Sequence, residues 1–386
     1  MIWVFAIPLL VVGFAFAGYP LCVAVAARLV GRPLRKGKTG LKASVCISAR
    51  NEAGRLPGKL ANLLDLAPEE GVVQILLALD GCTDGSEAAV VEFLAGRPEG
   101  DRRRVEVYPF AEGRGKAAAL DFLAERATGD VLVMMDARQR VAPGAVASLL
   151  SCFADERVGV ASGELVFERG EGAAAASSAG YWGYEKTIRR AESAFGRVPG
   201  ATGALYAIRR ELFRPIPENT LLDDVLIPMR AVMAGARCVF DPEALVTDRP
   251  TESFAAEEVR KRRTLAGNWQ LLAIEPGLLL PWRNPAWACY VCHKVLRLPT
   301  PFLLGVSLAG LALGAVRGET WALVLAGPAA LLVAASAAAH ALAGRRKSRV
   351  LGLLGAFFGM NRTLVLAAVD AARGRFEPRW QSAERA

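Results

Sequence analysis

The stretch GDVLVMMDARQR, Gly129 to Arg140, decides how the rest of the chain is read. It begins as an uninterrupted apolar run, the pattern of a buried strand, and ends in a carboxylate. Asp136 closes the run, where a strand presents it at the rim of a sheet. Two residues on, where a metal site would favour a second acid, stands Arg138.

The same alternation continues on both sides. ASVCIS is followed by LPGKLANLLDL, VVQILLALD by SEAAVVEFLA, RVEVYPF by GKAAALDFLAERA, and VLVMMD by GAVASLLSCFA. Short β-rich runs alternating with helical ones imply βαβ units, hence an α/β class with a mainly parallel sheet. In open sheets of this type ligands sit beyond the carboxyl ends of the strands. Asp80 and Asp136 both occupy such ends. Two acids from different strands, brought to one rim, suit a hydroxyl-rich ligand or a metal-bound phosphate.

The 386 residues are 53% hydrophobic and carry a formal net charge of +9. That hydrophobic share exceeds the globular norm and points to membrane segments. The charge has a local origin: GRPLRKGK (Gly31–Lys38) and GRRKSR (Gly344–Arg349) abut apolar stretches, as cytoplasmic flanks of membrane helices do. No basic stripe interleaves with aromatics, so nucleic acid is not an expected partner. Seven cysteines in apolar contexts read as small core residues of a reducing compartment. Cys289 and Cys292 have only His293 beside them, short of the roughly four ligands a zinc ion takes.

Met1 to Ala27 holds no charged residue and exceeds the ~20 residues that span a bilayer. Positive charge follows it, which favours a retained anchor with its C-terminal end in the cytoplasm over a cleaved signal peptide. Pro299–Val316 and Thr320–Gly344 read as a hairpin of spans. Val350–Val369 is apolar too, but Arg362 in its middle is costly at a bilayer centre, which leaves a re-entrant or interfacial helix as the alternative. Between Leu278 and Leu298, Trp282, Trp287 and Tyr290 mix with Arg283, Lys294 and Arg297, the composition of a helix in the headgroup layer. The expected order is therefore an anchor (1–30), a cytoplasmic domain (40–272), an interfacial region (278–298), membrane helices (299–372) and a basic tail (373–386). It places a multi-pass protein in the cytoplasmic membrane.

Within the soluble part, DGCTDGS (Asp80–Ser86) is a turn-rich segment opening a helix, where the helix N-terminus favours anionic groups. GRGKAAAL (Gly113–Leu120) repeats the arrangement with Lys116 at a helix start, against the helix dipole and suited to a bound phosphate. It is no Walker loop, since no Ser or Thr follows the lysine. LDDV (Leu222–Val225) sets two acids before a helix, either as dipole partners or as reactive groups. VRKRRTLAGNWQ (Val259–Gln270) is either a solvated basic face or a means of neutralising a departing diphosphate.

Taken in order, SARNE (Ser48–Glu52), DGCTDGS, GRGKAAAL, MMDARQ, GATGALYAIRR (Gly200–Arg210), LDDV and RKRRT resemble the membrane-integrated glycosyltransferases of family 2, the group of cellulose, chitin, hyaluronan and poly-N-acetylglucosamine synthases. The resemblance implies a GT-A domain that moves a sugar, with inversion, from a nucleotide sugar such as a UDP-sugar to a glycan or lipid-linked acceptor. It assigns Ser48, Arg50, Glu52 and Asp80 to the nucleotide pocket and Lys116 to the nucleotide sugar. Asp136 matches the first acid of the family's Asp-x-Asp and would hold a divalent cation, Mg²⁺ or Mn²⁺. Gly203 and Ala204 would border the acceptor, beside Asp223, and Asp224 would be the general base. Arg260 and Arg263 would steady the leaving diphosphate. Three positions depart from the pattern: Arg138 replaces the second acid, Arg260 a glutamine and Thr264 a tryptophan of processive synthases. Arg138 is expected either to contact phosphate or to orient a neighbouring acid, with metal binding correspondingly weaker. Two other readings stand beside this one: a membrane nucleotidyltransferase, and a degenerate subunit of a polysaccharide export complex.

Overall fold

The structure is a computed structural model, and it describes residues 1–67, 70–168, 173–249, 254–342 and 349–376. The basic cluster at 344–348 and the tail from 377 onward lie outside the described residues.

Eight strands form one sheet: β1 (Ala43–Ala49), β2 (Val72–Asp80), β3 (Val105–Phe110), β4 (Val131–Asp136), β5 (Arg140–Val141), β6 (Val158–Phe167), β7 (Tyr206–Arg209) and β8 (Arg237–Asp248). Their spatial order is β3-β2-β1-β4-β7-β6-β8-β5. The first four strands are parallel, as the alternation with helices predicts. Beyond β4 the sheet is mixed. β7 runs antiparallel to both β4 and β6, and β5 antiparallel to β8. An antiparallel neighbour needs no crossover helix, and β7 is entered directly from the loop around Gly203.

Side chains alternate across the pleat, so each strand serves two cores. Val45 and Ile47 face a cluster that includes Leu56, Leu60 and Leu63 from the helix Leu56–Leu66, while Cys46 faces Leu120 and Leu123 from Lys116–Arg126. The second core also takes in Val225 and Leu226 of Asp223–Met233, and Leu271 of Phe254–Ile274. Burial on both faces explains why β1, β2 and β4 read as continuous apolar runs.

The chain goes outward from β1 through β2 to β3, then returns to place β4 on β1's other side. The carboxyl ends of β1 and β4 therefore flank a topological switch point, where a crevice opens. Ser48 and Asp136 are direct partners in that register.

Among the described residues, Ile2–Val30, Thr320–Ala341 and Val350–Ala372 are long and apolar enough to cross a membrane. The helix Thr300–Val316 joins Trp287–Val295 at a 65° bend, and the pair together would make a fourth span. The interfacial region is not one helix but short pieces, Pro276–Leu279, Trp287–Tyr290 and a π turn Val291–Val295. Pro281 and Pro285 lie between the first two, where each lacks the N–H a continuous helix needs. Arg362 lies inside the single helix Arg349–Ala372 and pairs with Glu258 of Phe254–Ile274.

Candidate active site

The crevice at the switch point collects charge from separate elements. Lys116, first residue of its helix, reaches Asp136 at the end of β4 (Nζ–Oδ1 2.9 Å) and Asp223 at the start of Asp223–Met233 (3.2 Å). Burial works to lower the Lys116 pKa, but Asp136, Asp223 and Asp224 overcome it and hold the ammonium charged. The positive charge at a helix start is thus satisfied by side chains that outweigh the dipole.

Asp224 is half-buried beside this ammonium. Its Oδ2 accepts the Gly203 backbone N–H at 3.0 Å. Burial, and then the charge of Asp223, raise its pKa to about 6, against the pull of Lys116. Gly203 is needed for this closeness. A Cβ there would lie 3.3 Å from Asp224 Oδ2 and 3.6 Å from Lys116 Nζ. Ala204, next in the loop, is buried and belongs to the core.

A second group lies beyond β1 and β2. Asp80 is fully buried, and its two oxygens accept the N–H groups of Arg114 (2.6 Å) and Gly115 (3.0 Å). It thereby shapes the glycine loop that delivers Lys116. Arg50 packs against that loop, since a Cβ on Gly113 would fall 2.0 Å from its Nη1. That Nη1 is buried and has no hydrogen-bond partner, as is Ser48 Oγ. Arg50, Gly81, Ala111, Glu112 and Gly113 line a cavity of about 290 Å³. A donor without an acceptor on the cavity wall, Arg50 Nη1, is what a polar ligand would satisfy. Glu52 is turned to Arg55 (2.7 Å).

Arg138 does not point at the Asp136–Lys116 pair. Its guanidinium pairs with Asp248 at the end of β8, which also accepts from Gln139 Nε2 at 3.1 Å. Arg138 thus holds an acid at the end of β8. Arg260 is tied to Glu257 on its own helix (2.7 Å), and no hydrogen bond or ion pair among the described residues joins Arg260 or Arg263 to the acidic cluster. Their helix does reach the site's border: Gln270 Oε1 accepts the Leu221 N–H at 2.9 Å, two residues before Asp223.

Sequence reasoning missed several residues. Lys59 is buried behind β4, donating to the Gln139 carbonyl at 2.8 Å, and burial lowers its pKa to about 7 despite Asp136. It reads in sequence as an ordinary helix-surface lysine. Asn51 stands at φ 55° and accepts the Thr83 N–H at 2.8 Å, joining the loops after β1 and β2. Its signal was legible, because Asn tolerates the left-handed region.

The set fits a divalent cation held on Asp136. Three carboxylates face one ammonium, a net negative site that would repel a diphosphate unless a cation joined them. Asp136 keeps 29% of its side chain exposed. Among the described residues no group of three His, Cys, Asp or Glu gathers as a metal cage. Donor phosphate oxygens would have to complete the coordination.

Fold and site together define a GT-A glycosyltransferase domain. The family description Glycosyl transferase family 2 matches residues 44–216, and Glycosyl transferase family group 2 matches residues 131–337. The chain belongs to the family 2 glycosyltransferases. Among solved structures it is similar to the mannosyltransferase PcManGT from Pyrobaculum calidifontis in complex with GDP-Man and Mn²⁺. That match has 23% identity and a TM-score of 0.69, covering 96% of this chain and 99% of the other. Weaker likenesses are to mannosyl-3-phosphoglycerate synthase from Rubrobacter xylanophilus (18% identity, 66% of this chain and 78% of that one, TM-score 0.41) and to GalNAc-T7 with UDP, GalNAc and Mn²⁺ (20%, 54% and 44%, TM-score 0.43). No curated protein matches the chain in sequence.

Proposed function

We propose that this glycosyltransferase moves a sugar, with inversion at the anomeric carbon, from a nucleoside-diphosphate sugar to a hydroxyl of a glycan or lipid-linked acceptor at the cytoplasmic face of the membrane. The convergence of Lys116 on Asp136, Asp223 and the neighbourhood of Asp224 carries the reading. Asp224 takes the proton of the acceptor hydroxyl, and that oxygen forms the new bond to the anomeric carbon. The bond to the donor's phosphate oxygen breaks, and its electron pair leaves with the nucleoside diphosphate. A pKa near 6 suits a base that must be ionised near neutrality yet still accept a proton.

A divalent cation on Asp136, when bound, supplies positive charge to the diphosphate. Lys116 adds fixed charge next to it, and Arg263, which has no ion pair among the described residues, is available on the adjoining helix. Ser48 and Arg50 offer unpaired donors to the nucleotide. The GDP-Man bound to the architecturally similar mannosyltransferase supports a nucleoside-diphosphate donor.

The test is Asp224→Asn. Sugar transfer to acceptor drops by about 10²–10⁴, the range of general-base catalysis, while donor binding measured calorimetrically stays near that of the parent. Lost donor binding, or transfer at the parent rate, would remove Asp224 from the role of base.

A further inference from the structure

The loop that offers its Gly203 N–H to Asp224 is held from two sides by alternate peptide groups. Ala201 donates its N–H to the Asp224 carbonyl at 2.7 Å, and Gly203 donates to Asp224 Oδ2 at 3.0 Å. The groups between them turn the other way. Ser162 Oγ accepts the Thr202 N–H at 3.0 Å, and the Gly200 carbonyl accepts from Arg189 Nη2 at 3.3 Å. The same Nη2 donates to Ser162 Oγ at 2.9 Å, so serine and arginine form one unit behind the loop.

Both members of that unit are fixed. Ser162 is fully buried in β6, paired with Tyr206 of β7 and Phe240 of β8. Its hydroxyl donates to the Gly163 carbonyl (3.3 Å) and accepts from Thr202 and Arg189, which uses its one proton and both lone pairs. Arg189 lies over the Phe240 ring, 5.3 Å from its centroid, where stacking orients the guanidinium. Its helix, Ala173–Ser193, is pinned in turn. Glu192 accepts from Tyr19 of the N-terminal helix (2.6 Å) and faces His293 (2.9 Å), and Glu185 accepts from Arg297 (2.6 Å).

The loop itself is soft. Gly200, at φ 107°, lies flat on the start of Asp223–Met233, where a Cβ would fall 3.1 Å from Val225 Cγ2 and 3.3 Å from the Asp224 carbonyl. With a glycine at each end, contacts and not side-chain bulk must keep residues 200–203 in place.

We propose that Ser162 and Arg189 are positioning residues for Asp224: they hold the Gly200–Gly203 loop from behind and so set where the Gly203 N–H meets the reacting carboxylate. Neither takes part in bond making. The proposal rests on the reading of Asp224 as the base and names what keeps that base in place.

The test uses the full chain in a non-ionic detergent and makes two measurements on Ser162→Ala and Arg189→Met. Hydrogen exchange in the peptide covering residues 200–205 reads the loop directly and needs no turnover. Exchange there rises roughly tenfold in both variants, the worth of a lost buried hydrogen bond. Turnover is read as nucleoside diphosphate release from UDP-glucose and GDP-mannose with Mn²⁺, water serving as acceptor. The kcat falls roughly tenfold with the donor KM unchanged. The acid limb of kcat/KM moves to higher pH, because a carboxylate that loses an N–H donor holds its proton more tightly. Loss of folded protein alone lowers the amplitude and leaves that limb where it was. Arg190→Met, one residue along the helix and turned to Glu164 (3.2 Å), matches the parent in both measurements. Parent-like exchange in Ser162→Ala and Arg189→Met, or equal changes in Arg190→Met, overturns the positioning role. Faster exchange with an unmoved limb shows a loosened loop beside a group that is not the base, and it is then the role of Asp224 that fails.

Discussion

Asp224 must be ionised to act as a base, and burial with Asp223 holds its pKa near 6 rather than in the ordinary carboxylate range. The rate at low substrate, kcat/KM, therefore falls as pH drops through about 6, and by about tenfold per unit below that. A profile flat down to pH 4.5 in a stable preparation would contradict this assignment. Gly203 tests the geometry around the same carboxylate. Its φ is not in the left-handed region, so alanine suits the backbone, yet the added Cβ meets Asp224 Oδ2 at 3.3 Å. Gly203→Ala should lower kcat by roughly tenfold, since small displacements at a reacting group are expensive, with donor affinity and thermal stability little changed. An equal loss of donor affinity would place the glycine in the nucleotide pocket.

At the scale of elements, the corner from β4 to β5 is held from two sides. Arg138 and Gln139 bind Asp248, which is 5% exposed, and Lys59 binds the Gln139 carbonyl from beneath. Arg138→Ala leaves the buried Asp248 carboxylate with one partner and should cost about 1–3 kcal/mol, toward the low end because Arg138 is partly exposed. Removing both groups, Arg138→Ala with Asp248→Ala, should recover part of the loss in a thermal melt. Unchanged stability in the single variant, with activity lost, would instead make Arg138 a phosphate ligand. Lys59 gives the corner a pH dependence. Its pKa falls from 10.5 in the unfolded chain to about 7 in the folded one, so between those values the unfolded state binds the extra proton and stability rises with pH. The destabilisation is absent above 10.5 and complete below about 7. Lys59→Met should flatten that part of the melting-temperature profile; an unaltered slope would mean Lys59 stays charged in the fold.

Much of this was legible in the sequence, and the limits have physical causes. Of the four parallel strands, β1, β2 and β4 were the plainest, because burial on both faces forces continuous apolar runs. β7 was hidden in the glycine-rich motif that precedes it, because a four-residue antiparallel strand needs neither a long run nor a crossover helix. Lys116, Asp136, Asp223 and Asp224 are legible as site residues and meet in space, since each sits at the end of a strand or the start of a helix, where the fold's topology collects them; Gly203 joins them from the loop before β7. Arg138 was named, but its partner 110 residues away was not. Long-range ion pairs leave no local pattern. Lys59 gives no signal for the same reason: its significance lies in the buried partner it gains, the Gln139 carbonyl.

Over the whole molecule, the catalytic domain is fastened to its apolar helices by specific contacts. Arg262 makes a two-bond pair with Asp370 (2.5 and 2.7 Å), and Arg362 pairs with Glu258, so the last helix is clamped to Phe254–Ile274. Tyr19 donates to Glu192 at 2.6 Å from the N-terminal helix. Release of nucleoside diphosphate by the full chain in detergent, across uridine and guanosine diphosphate sugars with Mn²⁺ and then with EDTA, tests the central claim most directly. Release from one donor that EDTA abolishes, Mn²⁺ restores and Asp136→Asn lacks is the predicted result. Release that persists in EDTA would contradict the cation on Asp136, and no release from any donor, with no donor bound, would contradict the transferase reading itself.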